Sequence, residues 1–130
     1  SVAIPKSVTY KGSTYKVTEI AKNACKGMKK LKTVTIGANV ESIGEKAFYN
    51  CPKLQAVAIG KSVEEIGKLA FYGDTSLKTI RFEKIKSLKS VGTAAFYLKT
   101  KKTDAKLKEK QTSKKKMIQY LKNSGVKVKS

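Results

Sequence analysis

A spacing of 23 residues relates the apolar positions from Ile20 to Phe82, and it limits the folds that this chain can adopt. The aligned positions are Ile20, Ile43 and Ile66; Ala24, Ala47 and Ala70; Cys25, Phe48 and Phe71; Leu31, Leu54 and Leu77; Val34, Val57 and Ile80; and Ile36, Ile59 and Phe82. A further unit begins at Val91, two residues later than the spacing requires. Self-similarity at a fixed period indicates a solenoid, in which each unit buries its apolar face against its neighbours.

Each unit contains a segment that ends with an alternation of apolar and polar residues. Val34 and Ile36 should face the core and Thr35 should face solvent, which is the pattern of a short strand with one buried face. Val40-x-x-Ile43 predicts a second extended piece, after which the chain turns and directs its Ala and Phe inward. We therefore predict parallel strands in register, centred on Val34, Val57 and Ile80, with residues 2–4 as a fourth neighbour.

The spacing is interrupted near the N-terminus. Val8 follows Val2-Ala3-Ile4 as Val63 follows Val57-Ala58-Ile59, but nine extra residues precede Ile20. They include the segment Tyr10-Lys11-Gly12-Ser13-Thr14-Tyr15, and they predict an inserted hairpin near residues 9–17 with glycine at its turn.

The repeat pattern weakens after residue 97. Ala105 and Leu107 are candidates for a last weak strand. Thr112 and Ser113 should precede a helix that ends at Gly125 and carries three apolar residues on one face: Met117, Ile118 and Leu121. Residues 126–128 are a final strand candidate. We therefore divide the chain into a solenoid, residues 1–97, and a degenerate last repeat with a Lys-rich C-terminal cap, residues 98–130.

Residues 40–59 carry every position of the pattern Val-x-x-Ile-Gly-x-x-Ala-Phe-x-x-Cys-x-x-Leu-x-x-Val-x-Ile. In this the chain resembles the BspA-like leucine-rich repeats of bacterial surface proteins. The other units carry the pattern with substitutions, which include Ala21, Cys25 and Met28 in the first unit and Asp74 in the third. The expected fold is a β-dominant α/β repeat: a right-handed solenoid of about four 23-residue units, with a parallel sheet on one face and a helical C-terminal cap.

The chain is strongly basic, with a formal net charge of +20, and Arg81 is its one arginine among 29 basic residues. Readers of nucleic-acid sequence depend on arginine forks at base edges, so the lysine excess indicates a solubilising coat or a general polyanion contact. Residues 98–130 hold twelve lysines against Asp104 and Glu109. The candidate contacts in this tail are Lys114, Lys115 and Lys116 at the start of the predicted helix.

Catalytic and metal-binding constellations are not evident in the sequence. The chain has no histidine, and Cys25 and Cys51 do not form a disulfide framework. We expect two free thiols in core positions, with a disulfide between adjacent layers as the alternative. Acidic residues in the Val-x-x-Ile pieces, which are Glu41, Glu64 and Glu65, are interpreted as solvated charge. The sequence thus predicts no enzyme activity, no cofactor and no metal.

Two sets of residues are candidate ligand contacts in the solenoid. Tyr49, Tyr72 and Tyr97 directly follow the Phe positions and should stack along one edge. They are interpreted either as structural rings between layers or as an aromatic strip for a glycan or peptide. The outward strand positions are mostly small, with Arg81 as the possible anchor, and they are interpreted either as a plain sheet surface or as a weak binding face. The set is Thr33, Thr35, Ala56, Ala58, Thr79 and Arg81.

The resemblance implies a non-enzymatic interaction or adhesion module of an extracellular or cell-surface protein, with an unknown protein or glycan ligand of host or cell-wall origin. The alternative is an electrostatic module that anchors to anionic cell-wall polymer or nucleic acid, whose affinity would fall steeply with salt. We expect a monomer without a membrane span. The N-terminus lacks the features of a signal peptide and begins inside a repeat, so the chain is expected to belong to a longer protein.

Overall fold

The computed structural model describes residues 2–5, 7–98 and 114–129. It is a β-dominant, parallel-sheet solenoid of about three turns with a helix at its C-terminal end, which confirms the predicted fold class. Its largest sheet has five strands in the order β1-β5-β7-β10-β13. Their bounds are Val2–Ile4 (β1), Thr33–Ile36 (β5), Ala56–Ile59 (β7), Thr79–Phe82 (β10) and Lys127–Lys129 (β13).

A second parallel sheet has four two-residue strands in the order β11-β8-β6-β4. These are Glu19–Ile20 (β4), Ser42–Ile43 (β6), Glu65–Ile66 (β8) and Ser90–Val91 (β11). A third, two-stranded pair consists of Phe71–Tyr72 (β9) and Phe96–Tyr97 (β12). Apart from β13, the strands of each parallel sheet come from successive repeats, which place the same repeat positions above one another.

The predicted register of the main sheet is confirmed. Val34 lies opposite Val57 and Val57 lies opposite Ile80, while Val2 lies opposite Val34, all in parallel pairs. The burial of β5 alternates as predicted, with Val34 and Ile36 in the core and Thr35 exposed. The 23-residue period therefore sets the pairing directly, since a shift of one residue would turn the apolar face to solvent.

The core is built around stacked phenylalanines. Phe48, Phe71 and Phe96 are fully buried. The ring centroids are 5.2 Å apart between Phe48 and Phe71 and 4.9 Å apart between Phe71 and Phe96, with nearly parallel planes. Gly44, Gly67 and Gly92 allow the layers to approach this closely: a Cβ on Gly67 would lie 2.6 Å from the backbone nitrogen of Glu45 in the neighbouring layer.

The inserted segment is an antiparallel hairpin of Ser7–Tyr10 (β2) and Ser13–Lys16 (β3). Its turn residues Lys11 and Gly12 have φ of 50° and 80°, as the two-residue turns of twisted hairpins require. The hairpin begins two residues before the expected start at residue 9, because Ser7 and Val8 already pair with Lys16 and Tyr15.

The C-terminal helix, Lys114–Asn123 (α1), packs against the solenoid through β11 and β13. Met117 and Leu121 are buried as predicted and Ile118 is partly buried, while Tyr120 is also buried and its hydroxyl accepts a hydrogen bond from the Leu98 N–H at 2.9 Å. The chain then turns at Gly125, which has φ of 81°. The predicted strand Ala105–Leu107 and helix start Thr112–Ser113 lie outside the described residues.

The last strand is the main topological feature that the repeat pattern did not specify. β13 covers Lys127–Lys129, one residue beyond the predicted range, and pairs in parallel with β10. It thereby takes the place beside β10 that a strand of the next repeat would occupy. The two-residue slip before Val91 coincides with a short 3-10 helix, Ile85–Ser87.

Candidate functional site

The outward side of the five-stranded sheet, here called the outer sheet face, is a surface of aligned side chains. In one row Thr33, Ala56, Thr79 and Lys127 lie side by side, and in the other row Ala3, Thr35, Ala58, Arg81 and Lys129 do so. All of these side chains are exposed or half-exposed. Most are small, so the surface is open to a broad partner, and a shallow depression of about 240 Å³ is lined in part by Thr35, Ala58, Gly60, Arg81 and Glu83.

Three cationic side chains lie close together at one edge of this face, on β10 and β13. Arg81 lies opposite Lys129 in the strand pairing, and Lys127 lies opposite Thr79 on the same side. Parallel strands are about 4.8 Å apart and alternate residues on one strand are about 6.6 Å apart, so the three charges share one small area. We call Arg81, Lys127 and Lys129 the basic corner.

The tyrosines form the predicted stack. The ring centroids of Tyr49 and Tyr72 are 5.2 Å apart with an interplanar angle of 7°, and those of Tyr72 and Tyr97 are 4.8 Å apart with an angle of 32°. The Nζ atoms of Lys26 and Lys46 lie 5.7 and 5.6 Å from the Tyr49 centroid. The ring faces are therefore largely occupied within the stack, which leaves edges rather than faces for a ligand and favours the structural interpretation.

The candidate lysines of the tail lie on the first turn of α1 and not on the outer sheet face. Lys114 is half-buried, and its Nζ atom is 3.5 Å from the carbonyl oxygen of Ile85, whereas Lys115 and Lys116 are exposed. These three lysines therefore do not lie on a strand that pairs with the strand of Arg81. Lys127 and Lys129, which the sequence did not single out, take that place. Their Lys-Val-Lys alternation was the available signal, but it did not reveal which strand they would join.

The four-stranded sheet presents a row of Glu and Ser: Glu19, Ser42, Glu65 and Ser90. Glu64 forms an exposed ion pair with Lys89 at 3.4 Å, and Glu45 forms another with Lys22 at 3.1 Å. Within the described ranges, no group of three His, Cys, Asp or Glu residues could hold a metal ion. This arrangement supports the interpretation of Glu41, Glu64 and Glu65 as solvated charge.

One buried polar cluster was not anticipated. Asp74 stands at the repeat position held by Cys51 and is fully buried. Its Oδ1 accepts a hydrogen bond from the Cys51 N–H at 2.8 Å, and no donor in the described part of the chain reaches its Oδ2. Burial raises the pKa of Asp74 to about 8, because the charged form is poorly solvated, although the Cys51 N–H favours that form. An acidic residue at an otherwise apolar repeat position was the signal that could have revealed this cluster.

The two cysteines are free thiols, as the sequence predicted. Cys51 is fully buried, and its thiol donates to the Cys25 carbonyl oxygen at 3.3 Å. Cys25 is only partly buried, which corrects the expectation of two core thiols: its smaller side chain occupies the outermost Phe position, where no further Phe ring covers it. Burial, and secondarily the Asp74 carboxyl, raises the pKa of the Cys51 thiol to about 11.

Thiol titration without reductant should therefore find two reactive groups in the unfolded chain. In the native protein Cys25 should react faster than Cys51, because the thiolate is the nucleophile and burial suppresses it more strongly at Cys51. A Cys25→Ser variant provides the control, since it should retain one slow thiol. A monomer with no titratable thiol after unfolding would contradict the assignment and indicate a disulfide.

No helix among the described residues has the length and apolar content needed to cross a bilayer.

Comparison with known proteins agrees with the repeat pattern. Residues 2–124 match the model of the BspA type leucine-rich repeat region, which contains six copies of the repeat. A search of curated proteins found no match.

Two bacterial proteins of known structure resemble the chain. A leucine-rich repeat protein from Bacteroides ovatus ATCC 8483 is 41% identical over 75% of this chain and 25% of its own, with a TM-score of 0.68. A leucine-rich cell surface protein from Faecalibacterium prausnitzii A2-165 is 28% identical over 75% of this chain and 26% of its own, with a TM-score of 0.59. The chain thus spans about a quarter of the length of each.

Proposed function

Because the chain belongs to the BspA-type leucine-rich repeat family, we propose that it is a non-catalytic module of a bacterial surface or secreted protein and binds a protein partner through its outer sheet face. The neighbour from F. prausnitzii is described as a cell surface protein, which supports this location. The observation that carries the proposal is the alignment of small, exposed side chains across five strands in register. Solenoids use such extended surfaces for binding because each repeat adds area without changing the core.

A protein ligand is favoured over a neutral glycan by the placement of the aromatic side chains. Tyr72 is stacked between Tyr49 and Tyr97, so the stack covers both faces of its ring and leaves only the two end rings with an outer face for a sugar ring. The described positions of the outer sheet face carry Thr, Ala, Lys and Arg and no aromatic ring. Arginine is among the residues enriched at the energetic centres of protein interfaces, and Arg81 lies at the margin of the depression.

A bulky substitution in the middle of the outer sheet face tests the proposal. Ala58 lies between Thr35 and Arg81, so Ala58→Tyr should obstruct a partner without entering the core. Against an array of purified secreted and cell-surface proteins, with a glycan array in parallel, the unmodified chain should bind at least one protein saturably. Ala58→Tyr should weaken that binding by about tenfold or more, as expected for an obstructed interface centre.

Ser90→Tyr is the matched control, because Ser90 is an exposed outward position on the other parallel sheet. It should change the affinity by about twofold at most. Binding confined to glycans, or a loss caused by Ser90→Tyr and not by Ala58→Tyr, would contradict the proposal. Circular dichroism and melting curves of both variants establish that the fold is intact.

A further inference from the structure

We propose that the basic corner of the outer sheet face selects an extended, acidic segment of the protein partner. This inference rests on the proposed function and adds the chemistry that is recognised. Arg81, Lys127 and Lys129 come from two strands that are distant in the sequence and adjacent in the sheet. All three side chains are exposed, so a ligand on this face can reach them.

The basic corner is not neutralised from within the described residues. The ion pairs found there are Lys22 with Glu45 and Lys89 with Glu64, neither of which involves the corner. Glu83 lines the same depression as Arg81 and is the one acidic side chain among the residues that line it; its Oε2 accepts a hydrogen bond from the Lys61 N–H at 3.1 Å. The exposed side chains of Lys61 and Lys84 line an adjoining depression and add positive charge on that side. The surroundings therefore favour an anionic ligand.

The form of the corner favours carboxylates on an extended chain. A guanidinium group presents a planar fork that matches a carboxylate, and the lysines act as neighbouring point charges. Lys127 and Lys129 are alternate residues of one strand, about 6.6 Å apart, which equals the spacing of alternate side chains in an extended peptide. An acidic residue at every second position can therefore meet them in succession.

Two other occupants are disfavoured by the same surface. A nucleic acid would gain little here beyond phosphate contacts, because the face offers no aromatic ring for base stacking. A second copy of the chain placed along β13 would bring lysines against lysines, and charged edge positions of this kind oppose such pairing. A partner with acidic side chains at these positions would instead be attracted to the same lysines.

The test uses a 12-residue peptide of alternating Glu and Thr, and its counterpart with Gln in place of Glu, measured by fluorescence anisotropy at physiological salt. The unmodified chain should prefer the acidic peptide. A triple variant, Arg81→Gln with Lys127→Gln and Lys129→Gln, should bind the acidic peptide about tenfold more weakly, because it removes the corner's charge-assisted contacts.

The matched control is Lys29→Gln with Lys30→Gln and Lys53→Gln. These exposed lysines line a separate depression of about 690 Å³, and both triple variants lose three positive charges. The control should change affinity by about twofold, the part due to long-range attraction alone. Equal losses in the two triple variants would overturn the proposal in favour of diffuse charge attraction. Equal binding of the Glu and Gln peptides would overturn it as well.

Heparin and duplex DNA serve as competing polyanions. Tighter binding of either than of the acidic peptide, lost specifically in the corner variant, would assign the corner to that polymer and overturn the peptide proposal. The Ala58→Tyr variant separates this failure from failure of the proposed function. If Ala58→Tyr abolishes binding of the protein found on the array while the corner variant still binds it, the outer sheet face binds a partner without selecting for acidic residues.

Discussion

Replacing Phe71 with alanine is expected to lower the free energy of unfolding by about 3–5 kcal/mol, the usual cost of emptying a buried aromatic site. Phe71 is fully buried and stacks between Phe48 and Phe96, so the cavity would lie within the solenoid where neither layer can close onto it. Urea denaturation measures the change, and the melting temperature should fall by about 10 °C or more.

The control for this prediction is Phe71→Leu, which keeps an apolar side chain in the same site. It should cost less than half as much, because most of the volume remains filled. A melting temperature for Phe71→Ala within a degree or two of the unmodified chain would contradict the role assigned to the phenylalanine stack. Unfolding should be followed by two probes, since repeat proteins can lose their layers separately.

Raising the pH from 5 to 8 is expected to destabilise the protein through Asp74. The folded state holds the carboxyl protonated, because burial raises its pKa to about 8, whereas the unfolded chain releases this proton near its ordinary value of 3.8. Within this window the folded state binds more protons than the unfolded state, so each increase in pH favours unfolding. The contribution of Asp74 should be about 2–4 kcal/mol across the window, since one unit of pKa difference corresponds to ~1.4 kcal/mol.

Asp74→Asn should remove this dependence on pH. An asparagine retains the oxygen that accepts from the Cys51 N–H but carries no charge, so the variant should be the more stable protein at pH 8. Urea unfolding at pH 5, 6, 7 and 8 gives the slope for each protein. Glu65→Gln, a change at an exposed carboxylate, should keep the slope of the unmodified chain. An equal slope in the Asn variant would show that another group titrates.

The repeat made much of the fold predictable from particular residues. Equal spacing of Val34, Val57 and Ile80 specified parallel pairing in register, because only that pairing buries all three. The tyrosines that follow the phenylalanines were expected to stack, and their short centroid distances agree with this. The sequence left open whether their ring faces would be available to a ligand, since that depends on the angle between neighbouring rings.

The candidate site was predicted less completely. Arg81 was identified as an outward residue of the sheet, but the lysines of the tail were assigned to a helix start. Lys127 and Lys129 join Arg81 because Val126 and Leu121 are buried and the chain after α1 returns to the edge of β10. The pairing of β13 with β10 is a long-range contact, and no local sequence pattern indicates which strand β13 will join.

The sequence alone determined the solenoid, its period, the direction of its strands and the inward position of its phenylalanines, because a single unit cannot bury its own apolar face. The tertiary structure decided which strand completes the main sheet, which cations share a surface and which carboxyl loses access to water. Asp74 illustrates the distinction, since its position follows from the repeat while its raised pKa follows from complete burial. The local sequence period determines which residues are buried, whereas the distances between charged groups and their access to water depend on every element packed around them.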